Sequence, residues 1–278
     1  MPWLESTKRL LRCWFTSKIF FVLLGLILGV AIAIQVMPNP NIATISIAGS
    51  ILEQTYVDNI QDKLENARDD DSIKAVVLQI DSPGGQSCLV EQVYLDVLRL
   101  RQEKPVVTSI GARAASGGYH IAVASNFIYA EPTSLLGSIG AWVSLPPPEE
   151  LEEDTLTTGL FKATGGSRRK VTGWLEMVRR EFVGAVMSQR GERLKLSEEE
   201  LSQAEIYLGV ESLRYGLIDY IGTSTDAIEK AASLAGIRNY GVVEFYVPKP
   251  IFLFFSMEDL KAQTGLMPVY YYLYFESE

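Results

Sequence analysis

The residues best suited to chemistry lie in Ala115-Ser-Gly-Gly-Tyr119, where one serine stands among small residues between an apolar run and a helix-like run. A serine that attacks a carbonyl needs an exposed Oγ, backbone close to the substrate, and a donor for the developing oxyanion. A Ser-Gly-Gly junction between strand and helix can supply all three, which makes Ser116 the candidate nucleophile. Residues 105–110 read as a buried strand and 119–124 as a packed helix, so Ser116 stands at a helix start, where free amides and the macrodipole favour negative charge. A second glycine turn lies upstream: the apolar run 75–80 enters Asp81-Ser-Pro-Gly-Gly85, and a helix-like stretch follows through Arg101. For the oxyanion, the candidate donors are the amide of Gly117 and one amide of Gly84 or Gly85. The same turns leave room for an extended peptide to pair along the backbone as an added strand.

A serine nucleophile needs a base, and the chain holds one histidine, His120, four residues after Ser116. That spacing shares a helical face. The ring nevertheless points along the helix, away from a residue in its first turn, and no acidic residue close in sequence orients it. It reads as a packed or interface histidine. A lysine is the other solution, provided burial or a cationic neighbour lowers its pKa until it is neutral. Lys162 lies in Gly159-Leu-Phe-Lys162 among apolar neighbours, whereas Lys170 follows Gly165-Gly-Ser-Arg-Arg, which looks like a solvated basic loop. Either could equally be an exposed lysine, with the proline-rich acidic stretch 146–154 just upstream. Ser138, in Gly137-Ser-Ile-Gly140, could accept an N–H from a neutral lysine or simply bond turn backbone. Cys88, just after the Gly-Gly turn, reads as a buried helix cysteine rather than a nucleophile. With one histidine there is no His-x-x-x-His pair, so neither a metal nor another cofactor is expected.

The order and spacing of the two glycine turns resemble the signal peptide peptidase A family, membrane-bound serine peptidases of the Clp/crotonase superfamily. The resemblance covers about residues 41–238 and continues through Leu136-Gly-Ser-Ile-Gly140, Lys195-Leu-Ser-Glu-Glu-Glu200, Tyr215-Gly-Leu-Ile-Asp219 and Asp226-Ala-Ile-Glu-Lys-Ala-Ala232. It implies a Ser-Lys dyad whose lysine sits in a Gly-x-aromatic-Lys motif, the pattern around Lys162. Lys162 comes somewhat early for the family spacing and Lys170 lies nearer it, but Lys170 lacks the aromatic. The resemblance also implies that Ser138 orients the lysine, that an aromatic commonly stands where this chain has His120, and that the substrates are remnants of cleaved signal peptides. The fold it implies is a spiral of ββα units, and ring assemblies are usual in the superfamily.

These residues must be positioned by a chain of 278 residues, 47% hydrophobic, long enough to bury a core. Residues 42–48 read as a first strand and 51–68 as a helix. Residues 173–193 read as an amphipathic helix with Trp174, Met177, Phe182, Val183 and Val186 as its apolar contacts. Further helices are expected over 210–215, stopped by Gly216, and 225–235, with a last strand near 242–246. Strands alternating with helices give an α/β fold.

Residues 19–34 are apolar throughout, and Val36 and Met37 bring the run to spanning length before Pro38 and Pro40 end it. Lys8, Arg9, Arg12 and Lys18 precede it, which places the N-terminus in the cytoplasm. A cleaved signal peptide fits poorly, because the run is long and ends in Gln35-Val-Met-Pro. The expected organisation is a basic arm (1–18), a transmembrane anchor (19–37), an extracytoplasmic peptidase domain (41–247) and an apolar tail (248–278). Cys13 and Cys88 then lie on opposite sides of the membrane and form no disulfide. The net charge is −9 although the N-terminal arm is basic, so the remainder is strongly acidic and nucleic acid is not an expected partner. Peptides, membrane lipid and further copies of the chain are.

The tail runs 251–255 and 269–275 are too short to span a membrane and too apolar to lie free in water, which suits a contact with a neighbouring subunit or the lipid surface. Three functions remain open: a membrane-anchored Ser-Lys endopeptidase, a catalytically silent relative acting as a scaffold or adaptor, and acyl-CoA chemistry on the same fold. An extracytoplasmic domain with no evident nucleotide site argues against the last.

Overall fold

A strand buried on both faces carries a largely apolar run, because both faces pack on apolar side chains. The sequences Asn-Ile-Ala-Thr-Ile-Ser-Ile-Ala and Ile-Lys-Ala-Val-Val-Leu-Gln-Ile-Asp-Ser have this character and form strands β1 (Asn41–Ala48) and β2 (Ile73–Ser82). A computed structural model describes residues 18–36, 40–144, 158–159, 161–162, 165–248 and 270–273. The chain divides into two units, Met1–Asn39 and Pro40–Glu278.

In the first unit, helix α1 (Lys18–Val36) takes in nearly all of the segment expected as an anchor. Its described side chains run over residues 20–29. Among the described residues, no helix is long and apolar enough to cross a membrane.

The second unit continues after β1 with α2 (Gln54–Asp69), β2, β3 (Gly84–Gln86), α3 (Ser87–Glu103), β4 (Val106–Ala115), α4 (Gly117–Val123), β5 (Phe127–Ala130), β6 (Leu135–Gly137) and β7 (Trp142–Val143). It then runs through α5 (Arg168–Arg190), α6 (Glu198–Leu201), β8 (Ile206–Leu208), α7 (Gly209–Tyr215), β9 (Tyr220–Ile221), α8 (Ser224–Leu234), β10 (Gly241–Phe245) and β11 (Tyr270–Leu273). The main sheet has the order β10-β1-β2-β4-β5-β9, all neighbours parallel. The far half of β4 pairs instead with β6, also in parallel, and β6 pairs antiparallel with β8.

Side chains alternate across these strands. Ile42, Ala75, Val77 and Val107 face one side and pack on Ala227, Ala231 and Ala232 of α8. Ala43, Ile45, Val76, Leu78 and Val106 face the other, where Val57 and Ile60 of α2, Val93 and Val97 of α3, α4, and Phe182 and Val186 of α5 complete the larger core. The expected α/β architecture is present, with helices on both faces of a mostly parallel sheet.

Two expectations need correction. Phe182, Val183 and Val186 are buried, but Trp174 is only half-buried and Met177 is 66% exposed. In the first turns of α5 the buried residue is Val171, and Met177 faces solvent. Cys88 lies on a helix as expected but is exposed, because α3 turns its second residue to solvent while Leu89 and Val90 take the buried face.

A buried ion pair ties the pieces behind the site together. Both terminal guanidinium nitrogens of Arg190 donate to Asp219 at 3.0 Å, and Asp219 also accepts the Ile128 amide at 2.8 Å. Arg190 Nε donates to the Gly216 carbonyl at 2.7 Å. Two charges are tolerated here because hydrogen bonds satisfy them on several sides. The pair holds Tyr215-Gly-Leu-Ile-Asp219 against α5 and β5.

Candidate active site

Three parallel strands, β2, β4 and β6, end side by side; Ser82 is the last residue of β2, and a serine directly follows each of the other two. Ser82 lies opposite Ala114, and Ala115 lies opposite Gly137, so Ser116 and Ser138 are the next residues on adjacent strands. Ligands of such sheets bind beyond the carboxyl ends of the strands.

Ser116 leaves β4 in a sharp turn with φ 51° and ψ −118°, and Gly117 begins α4. Ser138 has φ 52°; Ala204, at φ 56°, is the remaining described non-glycine residue with positive φ. All three meet around one turn. The Ser116 amide donates to the Gly137 carbonyl at 2.7 Å, and the Ser138 amide donates to the carbonyl of Glu205, next to Ala204, at 2.8 Å. Such backbone costs about 1–3 kcal/mol per residue and persists where the surroundings over-determine it.

The surroundings here do so. A Cβ on Gly118 would lie 2.6 Å from the Ser82 carbonyl oxygen, so the start of α4 is pressed onto the first glycine turn. Tyr119 Oη donates to the Leu217 carbonyl at 2.7 Å, which ties α4 to the segment held by Arg190 and Asp219. His120 is fully buried, its ring centroid 4.5 Å from those of both Tyr94 and Phe182, with Nε2 4.0 Å from Glu181 Oε2.

Burial holds the His120 imidazole near a pKa of about 3, against its ordinary 6.5. It is therefore a neutral packing residue at physiological pH and too weak a base to activate Ser116. The linkage has a definite sign. A proton taken up by the unfolded chain but refused by the folded one makes stability complete above about pH 6.5, and that stability is lost as pH falls toward 3. Between pH 7 and pH 4.5, wild type is expected to lose about 2 kcal/mol more unfolding free energy than His120→Phe. Urea denaturation of both chains at the two pH values checks this, and parallel losses would remove the assignment.

The turn at Gly84 and Gly85 was left with two candidate oxyanion amides, and the local bonding separates them. Gly84 N–H donates to Ser82 Oγ at 3.1 Å, and Ser82 Oγ in turn donates to the Gly49 carbonyl at 2.7 Å. The Gly84 carbonyl accepts from Ile51, and Gln86 N–H donates to the Ile51 carbonyl. Because backbone polar groups alternate along a strand, Gly85 N–H points to the opposite edge, away from Ile51. A Cβ on Gly85 would sit 2.0 Å from the Ile51 carbonyl oxygen, so this approach requires glycine. The organising role of Ser82 and Ile51 was not read from the sequence. The only hint was a serine placed before Pro-Gly-Gly, a common turn composition.

Both candidate lysines are exposed. Lys162 is exposed, and its amide donates to the Gly159 carbonyl at 3.0 Å. Lys170 is exposed in the first turn of α5, its Nζ 4.6 Å from the centre of the Trp174 ring. Among the described residues, neither lysine hydrogen-bonds Ser116 or Ser138. Backbone hydrogen bonds and close approaches link Ser116, Ser138, Gly84 and the start of the helix at Gly117, through Gly137, Glu205 and Ser82. No group of His, Cys, Asp and Glu that could hold a metal occurs among the described residues.

A profile of peptidase family S49 matches residues 99–238, which include Ser116, Ser138, Lys162 and Asp219. The chain is 30% identical over 232 residues to a putative protease of Methanocaldococcus jannaschii, covering 78% of this chain and 69% of that protein. It is 29% identical over 227 residues to Protease 4 of Haemophilus influenzae, covering 75% of this chain but 37% of the relative's length. Among solved structures, a membrane-bound stomatin-specific protease superposes with a TM-score of 0.50 at 19% identity, over 77% of this chain and all of that one, a likeness of fold. Half the sequence fits one family profile and most of it aligns with named proteases, so the chain belongs to peptidase family S49, the signal peptide peptidase A family of serine peptidases.

Proposed function

We propose that the protein is a membrane-anchored serine endopeptidase with a Ser-Lys dyad, acting on peptides left at the membrane such as remnants of cleaved signal peptides. Ser116 is the nucleophile, Lys162 the base, and Ser138 the hydroxyl that holds the neutral lysine. The amides of Gly117 and Gly85 receive the oxyanion. As Ser116 Oγ attacks the carbonyl carbon, its proton passes to Lys162 Nζ. The proton then goes to the departing amine, and water enters by the same route to release the acyl group. The observation that carries this reading is the strained Ser116 backbone at the end of β4, beside the turn that aims Gly85 N–H.

Lys162 is exposed in the single chain, so the reading requires that it be enclosed in the assembled enzyme, since burial is what drives an ammonium to lose its proton. The anchor over residues 19–37, the ββα spiral and a homo-oligomer complete the proposal. Their support is the apolar run in α1, the parallel sheet with helices on both faces, and the apolar run 251–255 of the tail.

A second reading, a catalytically silent scaffold, is favoured by the exposure of both lysines, since an exposed ammonium keeps its proton. Labelling decides between the two. In detergent, the full chain is expected to take up one equivalent of a fluorophosphonate, mapped to Ser116 by peptide mass analysis, and Ser116→Ala takes up none. A wild-type chain that stays unlabelled points to the scaffold.

A further inference from the structure

A second, small sheet lies beside the candidate site. Its order is β3-β11-β7, with both pairs antiparallel. Its outer strands are β3, which continues the Gly84-Gly85 turn, and β7, which follows Gly137-Ser-Ile-Gly140. Its middle strand is β11, from the tail of the same chain. Residues 270–273 lie between β3 and β7 as an extended peptide added as a strand would.

The register is specific. Leu273 lies opposite Gly84, Tyr272 opposite Gly85, and Tyr271 opposite both Gln86 and Trp142. Gly85 N–H faces away from Ile51 and therefore toward β11, so Gly85 and Tyr272 form a hydrogen-bonded pair, with the Tyr272 carbonyl against the amide assigned to the oxyanion. The strand runs so that its C-terminal end reaches Gly84, beside the start of α4, which approaches β11 to within 8 Å between Cα atoms. That is the direction and depth of a substrate's acyl side. Ser116 itself is only 2% exposed.

We propose that Tyr270–Leu273 is an intramolecular pseudo-substrate that occupies the peptide cleft and must leave before another peptide can enter. The proposal rests on the serine peptidase reading for the identity of the cleft. A strand tethered to its own cleft competes at an effective concentration of about 1 mM, which weakens an external peptide of similar affinity roughly tenfold or more.

The test uses the full chain carrying Tyr271→Pro with Tyr272→Pro, which removes an N–H donor toward each neighbouring strand. In the Ser116→Ala background, fluorescence anisotropy measures binding of a labelled peptide with the sequence of residues 269–275. The double proline chain is expected to bind it about tenfold more tightly, and with Ser116 restored its KM for a fluorogenic peptide falls by a similar factor. Equal Kd values, or binding by neither chain, overturn the proposal. Hydrogen exchange on the unaltered chain guards against a misfolded variant: amides within 271–273 are expected to be protected, and free exchange there also overturns it. If hydrolysis survives Ser116→Ala while the tenfold change in binding holds, the peptidase reading falls and the occupied cleft stands.

Discussion

Ser116→Ala is expected to lower kcat/KM for an apolar fluorogenic peptide by about 10⁴-fold to 10⁶-fold, leaving what binding and the oxyanion amides alone provide. Lys162→Ala is expected to fall nearly as far. The two losses do not add, because a nucleophile and its base act as one unit, so the double variant should be no worse than Ser116→Ala. Lys162→Arg sharpens the test. It keeps the positive charge and most of the length, but a guanidinium does not release its proton, so activity stays lost if Lys162 is a base and returns if it only binds a carboxylate. Lys170→Ala should remain within about threefold of wild type, as expected for an exposed side chain resting on Trp174. Loss in Lys170→Ala with activity kept in Lys162→Ala would exchange the two roles. Full activity in both would remove the dyad and leave the scaffold reading.

How much of this was legible in the sequence follows from how local each signal is. The strand-turn-helix passage around Ser116 and the helices ending near Gly216 and residue 235 were legible because period, glycine position and length are properties of adjacent residues. The short strands β6, β7 and β8 were not, since two or three residues carry no period of their own and pair only when distant segments meet. The choice between Gly84 and Gly85 was equally illegible. It depends on Ser82 Oγ capturing one amide and Ile51 setting the alternation of the other, contacts that cross from one segment to another. The pairing of the tail was illegible for the same reason. Val269-Tyr-Tyr-Tyr-Leu-Tyr-Phe275 has strand-forming composition, but nothing adjacent to it says which edges it joins. Residues 270–273 pair with β3, which continues the Gly84-Gly85 turn, and with β7, which follows Gly137-Ser-Ile-Gly140.

Gly85→Ala is expected to lower kcat by about 10²-fold to 10³-fold, the cost of displacing one oxyanion donor. The added Cβ would meet the Ile51 carbonyl oxygen at 2.0 Å, its carbon at 2.5 Å and its Cα at 2.7 Å. All three are backbone atoms, so no side chain can rotate aside and the turn itself must move. Movement there costs about 1–3 kcal/mol of stability as well, so the activity loss has to be read against folding. Thermal unfolding followed by circular dichroism supplies that reading. Gly173→Ala supplies the contrast, since nothing lies within 4 Å of its Cβ position in α5 and the change should stabilise by about 0.5–1 kcal/mol without touching kcat. A folded Gly85→Ala chain with wild-type kcat would mean that the oxyanion is received elsewhere. A folded chain with kcat lost and KM little changed would tie the rate to the amide that the tail strand now covers, because a donor needed only in the transition state leaves substrate binding almost unaltered.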